Sequence, residues 1–171
     1  MQKGLATLEI ILIMLIIAVL ASAAIPNAVR MIDTVALDYE TKKLYTDLRL
    51  LQELNMSGSV KATGTGRKDM SFGDSLYMNF TFEPSSYQIV RGANVYSPAV
   101  REPHYLSNGI KISFKTSVDR NAISSNEFGH MTNVLGKSLS NSLILTSRLD
   151  QKNYIVFDSV GRIRGSLTDD Y

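Results

Sequence analysis

Cysteine is absent from the 171 residues. That excludes disulfides and thiolate metal sites, so the chain must rely on packing and on its neighbours for stability. Histidine occurs only at His104 and His130, with no thiol to assist either. Neither G-x-S-x-G nor H-E-x-x-H occurs. Leu135-Gly136-Lys137-Ser138 ends like a phosphate-binding loop, but the position of that motif's first glycine holds Met131. The glycines at Gly64 and Gly66 have no apolar strand before them and no helical pattern after them, so they read as a turn-rich loop. Asp158, Asp169 and Asp170 carry charge enough for a cation, yet nothing fixes their geometry, and they read as surface carboxylates. An excess of one charge is also missing: the formal net charge is +2, too small to announce nucleic acid by itself. There are no tandem repeats and no long low-complexity tract. The expectation is a protein that is not an enzyme and holds no cofactor or metal.

What the chain does have is one long apolar run near its start. Residues 5–25, LATLEIILIMLIIAVLASAAI, contain a single ionisable side chain, Glu9, and residues 10–21 have no polar side chain at all. A helix of that length rises roughly 30 Å, the thickness of a bilayer core. A secretory signal is one reading, with Ala21-Ser22-Ala23 as its cleavage site. The run is longer than the usual apolar region of such a signal, its basic region is short, and a carboxylate has no use there. An ordinary single-span anchor is another reading, and it too gains nothing from Glu9, because a charge in hydrocarbon costs several kcal/mol. Lys3 precedes the run and no basic residue follows until Arg30, which orients the chain with its N-terminus in the cytoplasm and its C-terminal part outside.

The residues around Glu9 point further. Lys3-Gly4-Leu5-Ala6-Thr7-Leu8-Glu9, followed at once by the apolar run, resembles the class III signal of type IV prepilins and pseudopilins. In that family a short basic leader ends in Gly, the cut follows it, and Glu stands fifth after the cut. Pro26 falls 22 residues after Gly4, where many pilins also place a proline. The departure is Leu5, where Phe is usual. The resemblance implies a leader of residues 1–4, removal after Gly4 by a prepilin peptidase, and methylation of the new Leu5 amine. It also implies that Glu9 faces the α-amine of a neighbouring subunit in a filament. In hydrocarbon such a pair sets register, and an unpaired carboxylate penalises a wrong fit.

Beyond Pro26 apolar residues recur at Val29, Ile32, Val35 and Tyr39, and again at Leu37, Leu44, Leu48, Leu51 and Leu54. Spacings of three, four and seven predict an amphipathic helix, with Asp33, Glu40, Lys43, Asp47 and Glu53 on the opposite, solvated face. Proline at position 26 is expected to kink or locally melt the helix, and Asn55, Ser57 and Gly58 to stop it near Met56. The organisation is then leader 1–4, transmembrane half-helix 5–26, amphipathic half 27–56 and a β-rich domain 57–171. That last part, with the amphipathic half-helix, is enough for one domain.

From Leu76 the apolar period shortens to two. Strands alternate over residues 76–82 and return over 87–90, a hairpin turning at Glu83-Pro84-Ser85-Ser86. A short strand is expected at 60–62, a loop at 63–69, and a break at Gly92 and Asn94. Residues 95–103 hold two prolines and read as a loop or edge. Asn108-Gly109 marks a turn, after which Ile110, Ile112 and Phe114 form one apolar face with Lys111, Ser113 and Lys115 outward. A short strand at 123–128, a loop at 129–137, a buried strand at 139–146, a turn at 148–152 and a closing hairpin at 154–164 follow. The fold class is α+β: a long N-terminal helix, half in the membrane and half amphipathic, packed on an antiparallel sheet of about seven strands. SYQIVRG, LSNGIKISF, the Phe128-to-Gly136 spacing and YIVFDSVGRIRG are similar to segments of the minor pseudopilin H and FimT-like minor pilin family.

Membership of that family implies a structural subunit of a type IV pilus, a type II secretion pseudopilus or a competence pseudopilus, sited in the cytoplasmic membrane. Its implied partners are the prepilin peptidase, other pilins, the platform protein of the assembly machine and membrane lipid. Two alternatives remain open. Gly161-Arg162-Ile163-Arg164 matches the GRxR pattern of DNA-uptake minor pilins, and Arg162 and Arg164, alternate on a strand and ~6–7 Å apart, suit successive phosphates. Arg148 and Lys152 in the preceding turn are candidates to join them. Against DNA, residues 148–171 also contain four Asp, and no aromatic alternates with the arginines for base stacking. The other alternative is a membrane-anchored binding domain that forms no filament.

Overall fold

The computed structural model describes residues 2–58, 76–91, 99–118, 121–126 and 128–166. The expected strand at 60–62, the loop at 63–69, the break at Gly92 and Asn94, and Asp169 and Asp170 lie outside these.

One helix, α1 (Gln2–Gly58), runs 57 residues and contains Pro26. Proline withholds one backbone donor, but the helix continues past it. Nine strands follow among the described residues: β1 (Leu76–Phe82), β2 (Ser85–Arg91), β3 (His104–Tyr105), β4 (Lys111–Phe114), β5 (Ala122–Ser125), β6 (Met131–Asn133), β7 (Asn141–Thr146), β8 (Lys152–Phe157) and β9 (Ile163–Ser166). They form two antiparallel sheets, ordered β3-β2-β1-β5-β6 and β4-β7-β8-β9, rather than the single sheet that the alternation suggested. Residues 129–137, expected as loop, contain β6.

The β1–β2 hairpin pairs Leu76 with Arg91 through Phe82 with Ser85. Its turn is Glu83-Pro84, with a cis peptide, two residues shorter than the expected one. Asn108 and Gly109 take the left-handed conformation, φ 57° and 68°, as the Asn-Gly turn predicts. Ile110 and Ile112 are buried and Lys111 and Ser113 exposed, the face assignment read from their alternation.

Four loops share one construction. Asn126, Asn133, Ser147 and Asp158 each accept, through a side-chain oxygen, the N–H groups two and four residues on, at 2.9–3.2 Å. Three residues after each stands a left-handed residue: Gly129, Gly136, Asp150 and Gly161, φ 59–90°. A type I turn closed by a left-handed residue is a common hairpin loop, and Asn, Asp or Ser at its first position replaces backbone bonding locally.

The core lies between α1 and the two sheets. Leu37, Leu44, Leu48 and Leu51 of the helix are at most 2% exposed, and they meet Met78, Ile123, Met131, Leu143, Ile155 and Phe157. Phe80 of one sheet and Phe114 of the other join edge to face, centroids 5.1 Å apart, closing the seam between sheets. Polar side chains pin the far end of the helix. Gln52 Nε2 donates to the carbonyls of Gly129 (2.7 Å) and Gly161 (2.8 Å). Asn55 pairs with both backbone groups of Leu76, at 2.9 and 3.0 Å, so it satisfies the end of β1 as a neighbouring strand would.

Two assignments on the helix are corrected. Asp33, Glu40 and Asp47 are not on a solvated face: they are 0%, 1% and 9% exposed. Val29, Ile32, Val35 and Tyr39 are not on the core side: they are 41–61% exposed. Side-chain type misleads here because each buried carboxylate meets a partner from the sheet domain, which offsets part of the penalty of burial.

Candidate functional site

The features with functional bearing fall on the two halves of α1 and on the last hairpin. In the first half an 18-residue window reaches a mean hydropathy of 2.8 with none of it buried. By length and composition this helix can cross a bilayer. Every described residue from Thr7 to Leu20 is exposed, Glu9 among them. Among the described residues Glu9 has no ion-pair partner. Gly4 and Leu5 lie in the first turns of the same helix. The exposed apolar stripe continues past the expected membrane limit through Ile25, Val29, Ile32, Val35 and Tyr39, steps of three and four that keep one helix face.

On the core side, Asp33, Glu40 and Asp47 recur every seven residues, two turns apart, and each is met from a different part of the domain. Asp33 Oδ1 accepts from Arg148 Nε at 3.3 Å, in the β7–β8 loop. Glu40 Oε2 accepts from His104 Nε2 on β3 at 2.7 Å, and its Oε1 from the Ser107 N–H at 3.0 Å. Asp47 Oδ2 accepts from the Tyr87 hydroxyl on β2 at 2.7 Å and lies 3.5 Å from Lys43, while Oδ1 lies 3.5 Å from Arg101. Burial pushes the Glu40 carboxyl up, but the bonds from His104 and Ser107 outweigh it and hold the group below the ordinary carboxylate range. Burial, and then the bond to Asp47, push the Tyr87 phenol well up, so it stays a donor. These carboxylates are structural clamps. The sequence signal that could have found them is their strict interval of seven, in register with Leu37, Leu44 and Leu51.

The C-terminal arginines are placed as follows. Arg162 precedes β9 and its Nε donates to Asp158 Oδ2 at 2.7 Å. Burial raises the Asp158 carboxyl, and the backbone and side-chain bonds from Arg162 more than reverse that, leaving it lowered. Ile163 is buried and Arg164, opposite Val156, is exposed. Arg148 is held by Asp33, and Lys152 lies 4.0 Å from Asp150. Arg148 and Lys152 stand at one end of β8 and Arg162 at the other, six strand residues apart, or ~17–20 Å. The four cations are therefore not brought together, and among the described residues only Arg164 of the four has no ion-pair partner. Gly161 has its own structural reason: φ is 90°, and a Cβ there would run into the carbonyl oxygen of Gly129. Among the described residues no group of three His, Cys, Asp or Glu could hold a metal ion.

No family profile matches the sequence, and no curated protein does. Solved structures do match. The type IV minor pilin FimU of Pseudomonas aeruginosa, strain PAO1, superposes in two crystal forms with TM-scores of 0.51 and 0.52. Identity is 10% and 11%, over 75% and 80% of this chain and 91% and 90% of that one. The minor pseudopilin EpsH from the type 2 secretion system of Vibrio cholerae gives a TM-score of 0.48 at 11% identity, over 75% of this chain and 94% of that one. At such identities the likeness is one of fold: a long apolar helix packed on antiparallel sheets, as in type IV minor pilins.

Proposed function

We propose that the chain is a minor pilin or pseudopilin, a structural subunit of a type IV pilus or of a secretion or competence pseudopilus. The observation that carries this reading is the bare half of α1, an apolar helix with one carboxylate, Glu9, projecting from a domain of minor-pilin fold. In this reading residues 1–4 are a leader, the prepilin peptidase cuts after Gly4, and the Leu5 amine is methylated. The chain waits in the cytoplasmic membrane with its sheets outside, then joins other pilins through the platform protein. Glu9 faces the Leu5 amine of a neighbour, and methylation leaves that amine basic, so the pair survives. The stripe from Ile25 to Tyr39 gives neighbouring helices an apolar face, each large side chain worth on the order of 1.5–3 kcal/mol when buried. The role is structural, in priming or capping a short filament.

The test is N-terminal and mass determination of the protein recovered from membranes that contain a prepilin peptidase, with a Glu9→Ala variant alongside. The reading expects a mature chain starting at methylated Leu5, and loss of Glu9→Ala from sheared filaments. A chain that keeps Met1, or one that starts past Ala23, overturns it. Undiminished incorporation of Glu9→Ala would remove Glu9 from the account of subunit pairing, and absence of the parent chain itself from sheared filaments would favour an anchored domain that forms no filament.

A further inference from the structure

The outer face of the five-stranded sheet, away from α1, holds a depression of about 210 Å³ open to solvent. Its floor follows from the alternation of β1 and β2. Met78 and Phe80 turn into the core, so Asn79 and Thr81 turn out. Opposite them in register stand Gln88 and Ser86, giving a paired amide and a paired hydroxyl with Cβ atoms ~4.5–5.5 Å apart. Ser86 is in turn opposite Tyr105, whose side chain is 60% exposed and forms a wall, with Pro84 and Pro103 at the rim. Among the described residues no charged side chain lines the depression. Among the described residues no hydrogen bond involves the side chains of Asn79, Thr81, Ser86 or Gln88, although Ser86 is only 6% exposed.

We infer that this depression binds one ring of a neutral saccharide. Two amides each offer an acceptor and two donors, and two hydroxyls offer both roles. That set matches neighbouring ring hydroxyls, which also donate and accept. A carboxylate or phosphate would call for a cation, and a cationic ligand for an anion, and the described lining residues offer neither. Tyr105 supplies a rigid apolar face with a polar tip, suited to the C–H face of a sugar ring. The volume is below the ~300–1,000 Å³ of sites for drug-sized ligands, so one ring fits and the rest of an oligosaccharide lies outside. A proline-rich peptide is the competing occupant of a rim with tyrosine and proline. It is disfavoured because the four polar floor groups would face a ligand with few hydrogen-bonding side chains. The site lies on the face opposite the helix, since Tyr87, between Ser86 and Gln88, points to Asp47 of α1.

The experiment uses the full chain in a zwitterionic detergent without a sugar headgroup. It is titrated with maltotetraose, cellotetraose and tetra-N-acetylchitotetraose, followed by saturation-transfer NMR and calorimetry. Binding of at least one, in the weak range around 1 mM or tighter, is expected. Tyr105→Ala and Gln88→Ala should each weaken it about tenfold or more, while Tyr105→Phe, which keeps the ring, retains it. The inference is overturned if none of the three binds at about 10 mM, or if Tyr105→Ala binds as the parent does. It is equally overturned if decaproline binds in a Tyr105-dependent way and no saccharide does. Circular dichroism of each variant separates loss of binding from loss of fold.

Discussion

Glu40 Oε2 lies 2.7 Å from His104 Nε2, and the carboxylate is 1% exposed while the imidazole is 26% exposed. The ring donates, the carboxylate accepts, and the two-residue strand β3 is thereby fastened to the middle of α1. Removing the donor leaves a buried carboxylate with only Ser107 as its partner. His104→Ala should therefore cost about 2–3 kcal/mol in urea unfolding at neutral pH, and His104→Gln, which restores a donor, should recover part of it.

The Glu40 carboxylate also contributes to the acid response. Glu40 and Asp158 have carboxyls lowered in the folded state, so the unfolded chain binds more protons in that range. Their stabilisation is complete above the ordinary carboxylate values, about pH 4–4.5, and is lost as pH falls through the lowered folded values. Stability measured from pH 7 to pH 2 should decline below about pH 5, and Glu40→Gln should flatten that decline. An unchanged slope in the variant would remove Glu40 from the account.

Gly161 and Gly165 make a matched comparison within one hairpin. A Cβ at Gly161 meets the Gly129 carbonyl and φ is 90°, whereas at Gly165 nothing lies within 4 Å. Gly161→Ala should destabilise by about 2–3 kcal/mol, and Gly165→Ala should stay within about 0.5 kcal/mol. Thermal unfolding of the two variants beside the parent distinguishes them.

Leu48 and Val35 test which face of the helix carries the domain. Leu48 is 0% and Val35 59% exposed. Leu48→Ala should cost about 2–5 kcal/mol of domain stability. Val35→Ala should leave it within about 0.5 kcal/mol, and should instead weaken filament incorporation if neighbouring helices cover that stripe.

Arg162 and Arg164 bear on the DNA alternative. Because Asp158 holds Arg162, and Arg148 and Lys152 are engaged at the far end of β8, Arg164 alone of these four described cations is left without an ion-pair partner to meet a phosphate. A double Arg162→Ala, Arg164→Ala variant should retain duplex DNA no less than the parent in filter binding at low salt. A salt-sensitive loss in the variant would restore the DNA reading.

The long helix, the first hairpin, the Asn-Gly turn and the closing hairpin were legible in the sequence, because each rests on one local period or one turn residue. The face of the second half of α1 was not. Two apolar stripes run along it, Leu37–Leu44–Leu48–Leu51 and Val29–Ile32–Val35–Tyr39, and nothing local says which one the sheets cover. Asp33, Glu40 and Asp47 pointed the wrong way for the same reason: their partners, Arg148, His104 and Tyr87, are 115, 64 and 40 residues distant in sequence. Strand β6 was missed because three residues between two glycine-containing turns carry no period. Of the candidate residues, Gly4, Leu5 and Glu9 were singled out by their resemblance to a prepilin signal, while the ion pairs of Arg148 and Arg162 required the fold.

The interval of seven between Asp33, Glu40 and Asp47 has a mechanical consequence. If the helix slipped by one turn against the sheets, all three teeth would leave their sockets together, each stranding a charge. Tension applied at the N-terminal end of α1 is thus passed to both sheets as to one solid piece, without ratcheting along the axis.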